Sequence, residues 1–257
     1  MKMHEIIIDK EKCTGCGMCK KECVAYNLTI EEKKAKAIAN DCVMCGHCVA
    51  VCLKGAIAIS GYDTEPIEKE QETFLNPEDV MNVIRFRRTV RQFKEKQIPQ
   101  EVIEQILEAG RLTHTARNKQ DVSFIVLDKE KDKVEEYAVG FVHKIKPVMN
   151  LFSPMIRRNK IGNHFFFYQA PIVIVITAKD KINGILAAQN MEFVAEANGL
   201  GVLFSGFFTN AANVSYKIKK ILGIQKGKKV VATLVIGYPK VKYQRSVQRE
   251  KIDVKYR

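Results

Sequence analysis

A chain of 257 residues, 46% of them hydrophobic, is long enough to bury one large core or two unequal ones. Its longest apolar run, PIVIVITA at 171–178, is far short of the roughly 18 residues a membrane span requires. The opening MKMHEIIIDKEKC has charges directly behind its isoleucines, where a signal peptide would carry a cleavage site. The formal charge of +13 is spread through HKIK, RRNK, KIKK and KGKK with no aromatic-interleaved stripe, which excludes a nucleic-acid reading in favour of a solvated basic face or a surface for an acidic protein partner.

The first elements in chain order are set by cysteines. All eight lie in two runs, CTGCGMCKKEC at 13–23 and CVMCGHCVAVC at 42–52, and the expected location is the cytoplasm, where thiols stay reduced and serve as metal ligands. Both runs have the spacing C-x2-C-x2-C-x3-C. Three thiolates from one tight loop converge on a cubane, while the fourth starts the next helical turn, points away and serves the other cluster. One [4Fe–4S] centre is therefore expected on Cys13, Cys16, Cys19 and Cys52, and the other on Cys42, Cys45, Cys48 and Cys23. The runs are offset by 29 residues from Cys13 to Cys42 and again from Cys23 to Cys52, an internal repeat that a zinc ribbon with four ligands does not need. Gly15, Gly17 and Gly46 suit the close approach of backbone amides to cluster sulfur. His47 reads either as an exposed loop residue or as a hydrogen-bonding partner of the second cluster. This stretch resembles a two-cluster bacterial ferredoxin, with Val24 and Leu53 where that family usually has proline. The ferredoxin-like domain is expected at 1–60, and the charged GYDTEPIEKEQETFLNP supplies a linker at 61–75.

From 76 to 257 the pattern is that of an α+β domain. Asn76 and Pro77 make an N-cap and first helical residue, with Val80, Val83 and Ile84 on the apolar face of the helix they start. PQEVIEQILEAGRL has helical spacing, and strands are expected at SFIVLD and PIVIVITA. The region 144–163 is the least regular and the most basic, and is expected to form part of a substrate lid or else a plain surface loop. HFFFYQ at 164–169 either fills the core or lines an acceptor pocket. NGILAAQNMEFVAEANGLG is a helix apolar nearly all round, which suits the centre of a dimer or the core of a monomer. A helix at NVSYKIKKILGI, a strand at VVATLVIGYP and a basic tail complete the domain.

No Rossmann, P-loop or zincin motif is present; the glycines at 199, 201 and 206 follow a helix and lack the dinucleotide spacing. There is instead a cationic stretch, Arg85, Arg87, Arg88 and Arg91 beside Thr89, of a kind that suits a phosphate monoester or a solvated patch. Taken in order, RRTVRQF, THTARNKQDVSFIV, QAPIVIVITA, AAQNMEFVAEANGLG and VIGYP resemble the FMN-dependent nitroreductase family, and the whole chain resembles the ferredoxin–nitroreductase fusions of anaerobes. The resemblance implies an α/β sandwich with a central, mainly antiparallel sheet and a homodimer with FMN at the subunit interface. It assigns Arg87, Arg88, Thr89 and Arg91 to the FMN phosphate and ribityl chain, and Thr115 and Asn118 to a segment approaching the flavin from the other subunit. Ser205 and Gly206 fall where backbone donors meet the ring's reactive nitrogen, and Arg245 and Arg249 where basic residues reach the phosphate. The sequence departs from the family at Thr113, His114 and Thr115, which stand for Ala-Pro-Ser, and at Gln120, Asp121 and Val122, which stand for Gln-Pro-Trp. His114 thereby becomes a candidate proton donor beside the flavin or a plain loop residue.

The implied function is an oxidoreductase fed by an acidic ferredoxin or flavodoxin, passing electrons through two [4Fe–4S] clusters to FMN and on to a small organic acceptor such as a nitroaromatic or quinone. A non-catalytic FMN-binding carrier or sensor, and specialised dehalogenation or enone reduction, are the alternatives.

Overall fold

The computed structural model describes residues 4–39, 42–62, 64–152, 157–158 and 160–257, with no side-chain description at 148–152. By backbone contacts the chain divides into two units, one of residues up to Phe74 together with Thr115–Lys119, the other of Leu75–His114 and Gln120–Arg257.

The first unit is built twice. Strand β1 (Ile6–Ile8) pairs antiparallel with β4 (Ile57–Ile59), and β2 (Leu28–Glu31) with β3 (Lys34–Ala37). Each cysteine run ends in a short helix, α1 (Met18–Lys21) or α2 (His47–Ala50), preceded by a left-handed glycine, Gly17 at φ 80° and Gly46 at φ 76°. The 29-residue repeat extends to other left-handed positions: Gly15 (φ 68°) answers to Met44 (φ 57°), and Tyr26 (φ 53°) to Gly55 (φ 56°). Both members of each pair take the turn, although Met44 and Tyr26 meet the steric penalty that glycine avoids. At Gly15 the need is absolute, because a Cβ there would run into the Lys33 carbonyl.

The second unit opens with α3 (Pro77–Phe86), where the Asn76 side chain accepts from Glu78 N at 2.9 Å as its N-cap role requires. Helix α4 (Gln100–Arg111) follows, then β5 (Ser123–Leu127), α5 (Lys131–Phe152), β6 (Ile172–Ala178), α6 (Lys181–Ala197), β7 (Gly201–Phe204), α7 (Gly206–Val214), α8 (Tyr216–Ile221) and β8 (Lys229–Gly237). The strands form one sheet in the order β5-β6-β8-β7 with every neighbour antiparallel. Helices cover both faces, so β6 is buried along its whole length and reads as an unbroken apolar run. Ile172, Ile174 and Ile176 pack with Ile103 and Ile106 of α4 and Met191 of α6; Val173 and Val175 face the opposite core with Val134 and Ala138 of α5 and Phe208 of α7. Phe166 and Phe167 are fully buried there, so the aromatic stretch fills the core at these two positions. The expected loop at 144–163 is corrected: α5 continues to Phe152 and passes through Pro147. Positions 153–156 and 159 of that stretch lie outside the described residues.

Strand β7 positions the arginine stretch. Helix α3 stops at Phe86 because Arg87 turns extended, and the chain then runs as a strap: Val90 N donates to Val202 O at 3.1 Å, Lys94 N to Tyr238 O at 2.8 Å, and Lys240 N to Gln92 O at 2.8 Å. Val90 is seated against Gly201, where a Cβ would overlap the valine side chain. Gly201→Ala is therefore expected to push the strap off β7 and cost about 1–3 kcal/mol of stability, measured by denaturant unfolding.

Candidate cofactor sites

Cys13, Cys16, Cys19 and Cys52 line one cavity of about 120 Å³. Cys42, Cys45, Cys48 and Cys23 line a second, smaller one. The fold thus sorts the eight thiols into the two sets of four that the reciprocal spacing requires. Backbone amides aim at sulfur in both sets: Ala35 N lies 3.3 Å from Cys13 Sγ and Ala56 N 3.3 Å from Cys52 Sγ, while Met44 N lies 3.3 Å from Cys42 Sγ and Asn27 N 3.2 Å from Cys23 Sγ. Such donors stabilise charged sulfur without adding net charge. Burial pushes the Cys48 thiol up to about 11, with Cys42 and Cys45 adding to the rise, and burial likewise raises Cys19. Neighbouring thiols that resist ionisation become joint thiolates when a cation binds among them. The donor set, all sulfur in two closed groups of four, fits iron–sulfur clusters.

In the second unit the arginines of the strap have different environments. Arg87 is held: its Nη1 donates to Glu192 Oε2 at 2.7 Å, and its guanidinium lies 4.9 Å from the centre of the Phe193 ring. Arg88 Nη1 donates to the carbonyls of Arg85 (2.9 Å) and Arg87 (2.6 Å), satisfying the end of α3, while its buried Nε has no hydrogen-bond partner among the described residues. A buried, positively charged N–H without an acceptor fits an anionic ligand. Thr89 and Arg91 are exposed, and Tyr243 Oη donates to Thr89 O at 3.1 Å, which brings the tail onto the strap two residues before exposed Arg245; Arg249 is exposed further on. Ser205 is buried, and its N–H is already committed to Thr233 O at 2.8 Å and its Oγ to Phe166 O at 3.1 Å. Gly206 is exposed and opens α7, whose first-turn N–H groups lack helical acceptors.

A sequence profile described as the Nitroreductase family matches residues 84–238, and one described as a 4Fe-4S dicluster domain matches 5–53. The chain belongs to the nitroreductase family. It is an oxidoreductase with a ferredoxin domain ahead of its nitroreductase domain. An NADPH-dependent oxidoreductase of Staphylococcus aureus is 25% identical over 173 residues, covering 63% of this chain and 65% of that one. An FMN-dependent nitroreductase from Clostridium difficile R20291 matches the fold with a TM-score of 0.55 at 20% identity, over 71% of this chain and all of the other. A nitroreductase with bound FMN from Bacteroides fragilis does so with a TM-score of 0.56 at 18% identity, over 69% of this chain and 99% of that one.

Two of the positions where the chain departs from the family pattern, Thr113 and Asp121, have structural reasons. Thr113 is buried, donating to Ala109 O at 2.9 Å and accepting from Asn190 Nδ2 at 2.8 Å, so it ties α4 to α6. Asp121 is buried and accepts from Lys179 N, Asp180 N and Asn183 Nδ2; burial opposes its charge, but these bonds hold its carboxyl below the usual range. His114 between them is exposed. Thr115 precedes the short turn Ala116–Asn118, which groups with the first unit, and within that unit Asn118 Nδ2 donates to Met44 O at 2.6 Å. The structure therefore occupies Asn118 at the loop of the second cysteine set.

Sequence reasoning missed the acidic side of the arginine site. Glu192 and Glu196 are one helical turn apart on α6, and Gln189 Nε2 donates to the same Glu192 oxygen that Arg87 uses, at 2.7 Å. The signal was the spacing 189, 192, 196, which places a glutamine and two glutamates along one side of a mostly apolar helix. Burial and then the Glu192 charge push Glu196 up to about 7 against the pull of Arg87. Because the folded protein holds this proton where an unfolded glutamate loses it, Glu196 lowers stability progressively as pH rises from about 4.5 to about 7, beyond which the loss levels off. Glu196→Gln is expected to melt a few degrees above the parent at pH 8, with the gap closing at pH 5, as thermal scans across that range will test.

Proposed function

We propose that this nitroreductase takes electrons from a low-potential, acidic protein donor through two [4Fe–4S] clusters to FMN and delivers them to a small organic acceptor such as a nitroaromatic or a quinone. The observation that carries this reading is the sorting of eight thiols into two four-cysteine cavities in a chain whose other domain belongs to a flavin-linked oxidoreductase family. A hydride donor reduces a flavin directly, so a built-in pair of clusters has a purpose when electrons arrive one at a time. The net charge of +13 favours an acidic donor.

Cys13, Cys16, Cys19 and Cys52 would hold one cluster and Cys42, Cys45, Cys48 and Cys23 the other. Arg87, Arg88 and Arg91, with Thr89, would hold the FMN phosphate and ribityl chain, and the Gly206 end of α7 would offer backbone donors to the ring. When bound there, FMN supplies the exchange between single-electron and two-electron chemistry. The protein's part is to fix the phosphate, orient the ring and leave one face open to the acceptor.

A homodimer completes the reading. Beside the strap lies a groove of about 640 Å³ lined by Val80, Val83 and Phe86 of α3 and Phe193 of α6. Ile182, Ile185 and Leu186 of α6 are exposed in the single chain, as are Val247, Ile252 and Tyr256 of the tail. Apolar surface on this scale is what a second subunit covers. No helix among the described residues is long and apolar enough to cross a membrane, and eight reduced thiols suit a reducing compartment such as the cytoplasm.

The test is anaerobic reduction of cluster- and FMN-loaded protein by reduced ferredoxin and, separately, by NADH and NADPH, with cluster and flavin absorbance followed together. Fast reduction of both by ferredoxin, and slow reduction by either nicotinamide, is expected. Fast flavin reduction by NAD(P)H with the clusters bypassed would reverse the proposed direction of flow.

A further inference from the structure

Resting on the FMN reading above, we propose that Glu192 is a positioning residue for the flavin phosphate: it aims Arg87. An arginine on an extended strap has several free torsions, and ordering it on ligand binding costs affinity. Here the order is already built. The Phe193 ring supports the Arg87 guanidinium from 4.9 Å, Glu192 holds its Nη1 by accepting from it, and Gln189 holds Glu192 in turn by donating to the same oxygen. All three come from consecutive turns of α6, a helix anchored in the core by Ala188, Met191 and Ala195. With Nη1 taken, the Nε/Nη2 edge of the fork remains for a bidentate anion. Both partners are largely buried, with 22% and 12% of their side chains exposed, so the pair is not a solvent-averaged surface contact.

The sign of the effect discriminates this role from its opposite. A carboxylate that merely sat near the phosphate would repel it or compete for Arg87, and its removal would tighten FMN binding. A carboxylate that orders the arginine weakens FMN binding when it is lost, and only through the phosphate.

The experiment is equilibrium dialysis of the flavin-free, cluster-loaded protein against FMN and against riboflavin, which lacks the phosphate. Glu192→Ala is expected to weaken FMN about tenfold and leave riboflavin unchanged. Glu192→Gln, which keeps an oxygen acceptor, should recover most of the loss, and in an Arg87→Ala background Glu192→Ala should do nothing further. FMN binding that is unchanged or tighter in Glu192→Ala, or a parallel loss for riboflavin, overturns the positioning role alone. A parent protein that binds FMN no more tightly than riboflavin overturns that role together with the phosphate site itself.

Discussion

Cys23→Ser is expected to destroy the cluster proposed on Cys42, Cys45, Cys48 and Cys23, and to spare the one proposed to begin only a few residues upstream at Cys13. Sequence proximity argues the reverse, so the result is diagnostic. The reason is geometric: Cys23 follows the short helix α1 and lines the cavity of the second run, just as Cys52 follows α2 and lines the cavity of the first. Anaerobically reconstituted Cys23→Ser and Cys52→Ser should each retain about half of the parent's iron and sulfide, and the electron paramagnetic resonance signals of the reduced variants should be complementary. Electron delivery from ferredoxin to the flavin should fall by orders of magnitude in both, because a series path fails at any missing member. Direct chemical reduction of the flavin should be unaffected. Loss of the Cys13 cluster in Cys23→Ser would show that each run ligates its own cluster.

Val83→Asp is expected to break the proposed homodimer into monomers and to lose FMN with it. Val83 lies on α3, a helix with no buried residue in the single chain, and it lines the 640 Å³ groove with Phe86 and Phe193. In the single chain Val83 is 39% exposed, so aspartate there is tolerated and folding should be little changed. In the proposed dimer the same carboxylate would be taken out of water in a groove lined mainly by apolar side chains, at a cost of several kcal/mol even with Arg87 one turn away. Sedimentation should show the monomer, thermal scans a folded protein, and dialysis a loss of FMN out of proportion to any loss of stability. A variant that stays dimeric with full FMN content would remove the groove from the proposed interface.

The features that could be read directly from the chain are those whose chemistry is local. Cysteine spacing dictates which thiols share a loop, and a 29-residue repeat dictates a two-fold arrangement, so both four-membered sets were legible before any coordinates. Asn76 and Pro77 start α3 because capping involves only neighbours in sequence, and PIVIVITA reads as a buried strand because both of its faces must be apolar. Other features had no such local mark. Helix α5 was hidden by Pro147 and a run of lysines, and β7 by its four-residue length after a glycine. Glu192 lies 105 residues from Arg87, and nothing in either neighbourhood announces the other. Phe166 and Phe167 read as core residues first and pocket residues second, and only the sheet and α7 closing over them decided between the two. Whether Arg87 is a loose surface cation or an aimed one depends on which helix the strap crosses. Composition and spacing determined the kind of chemistry this protein carries, because ligand type and loop geometry are properties of short segments. The acidic partner of the arginine site was decided only when packing brought α6 beside the strap, because a contact between distant segments exists only once the core between them has formed.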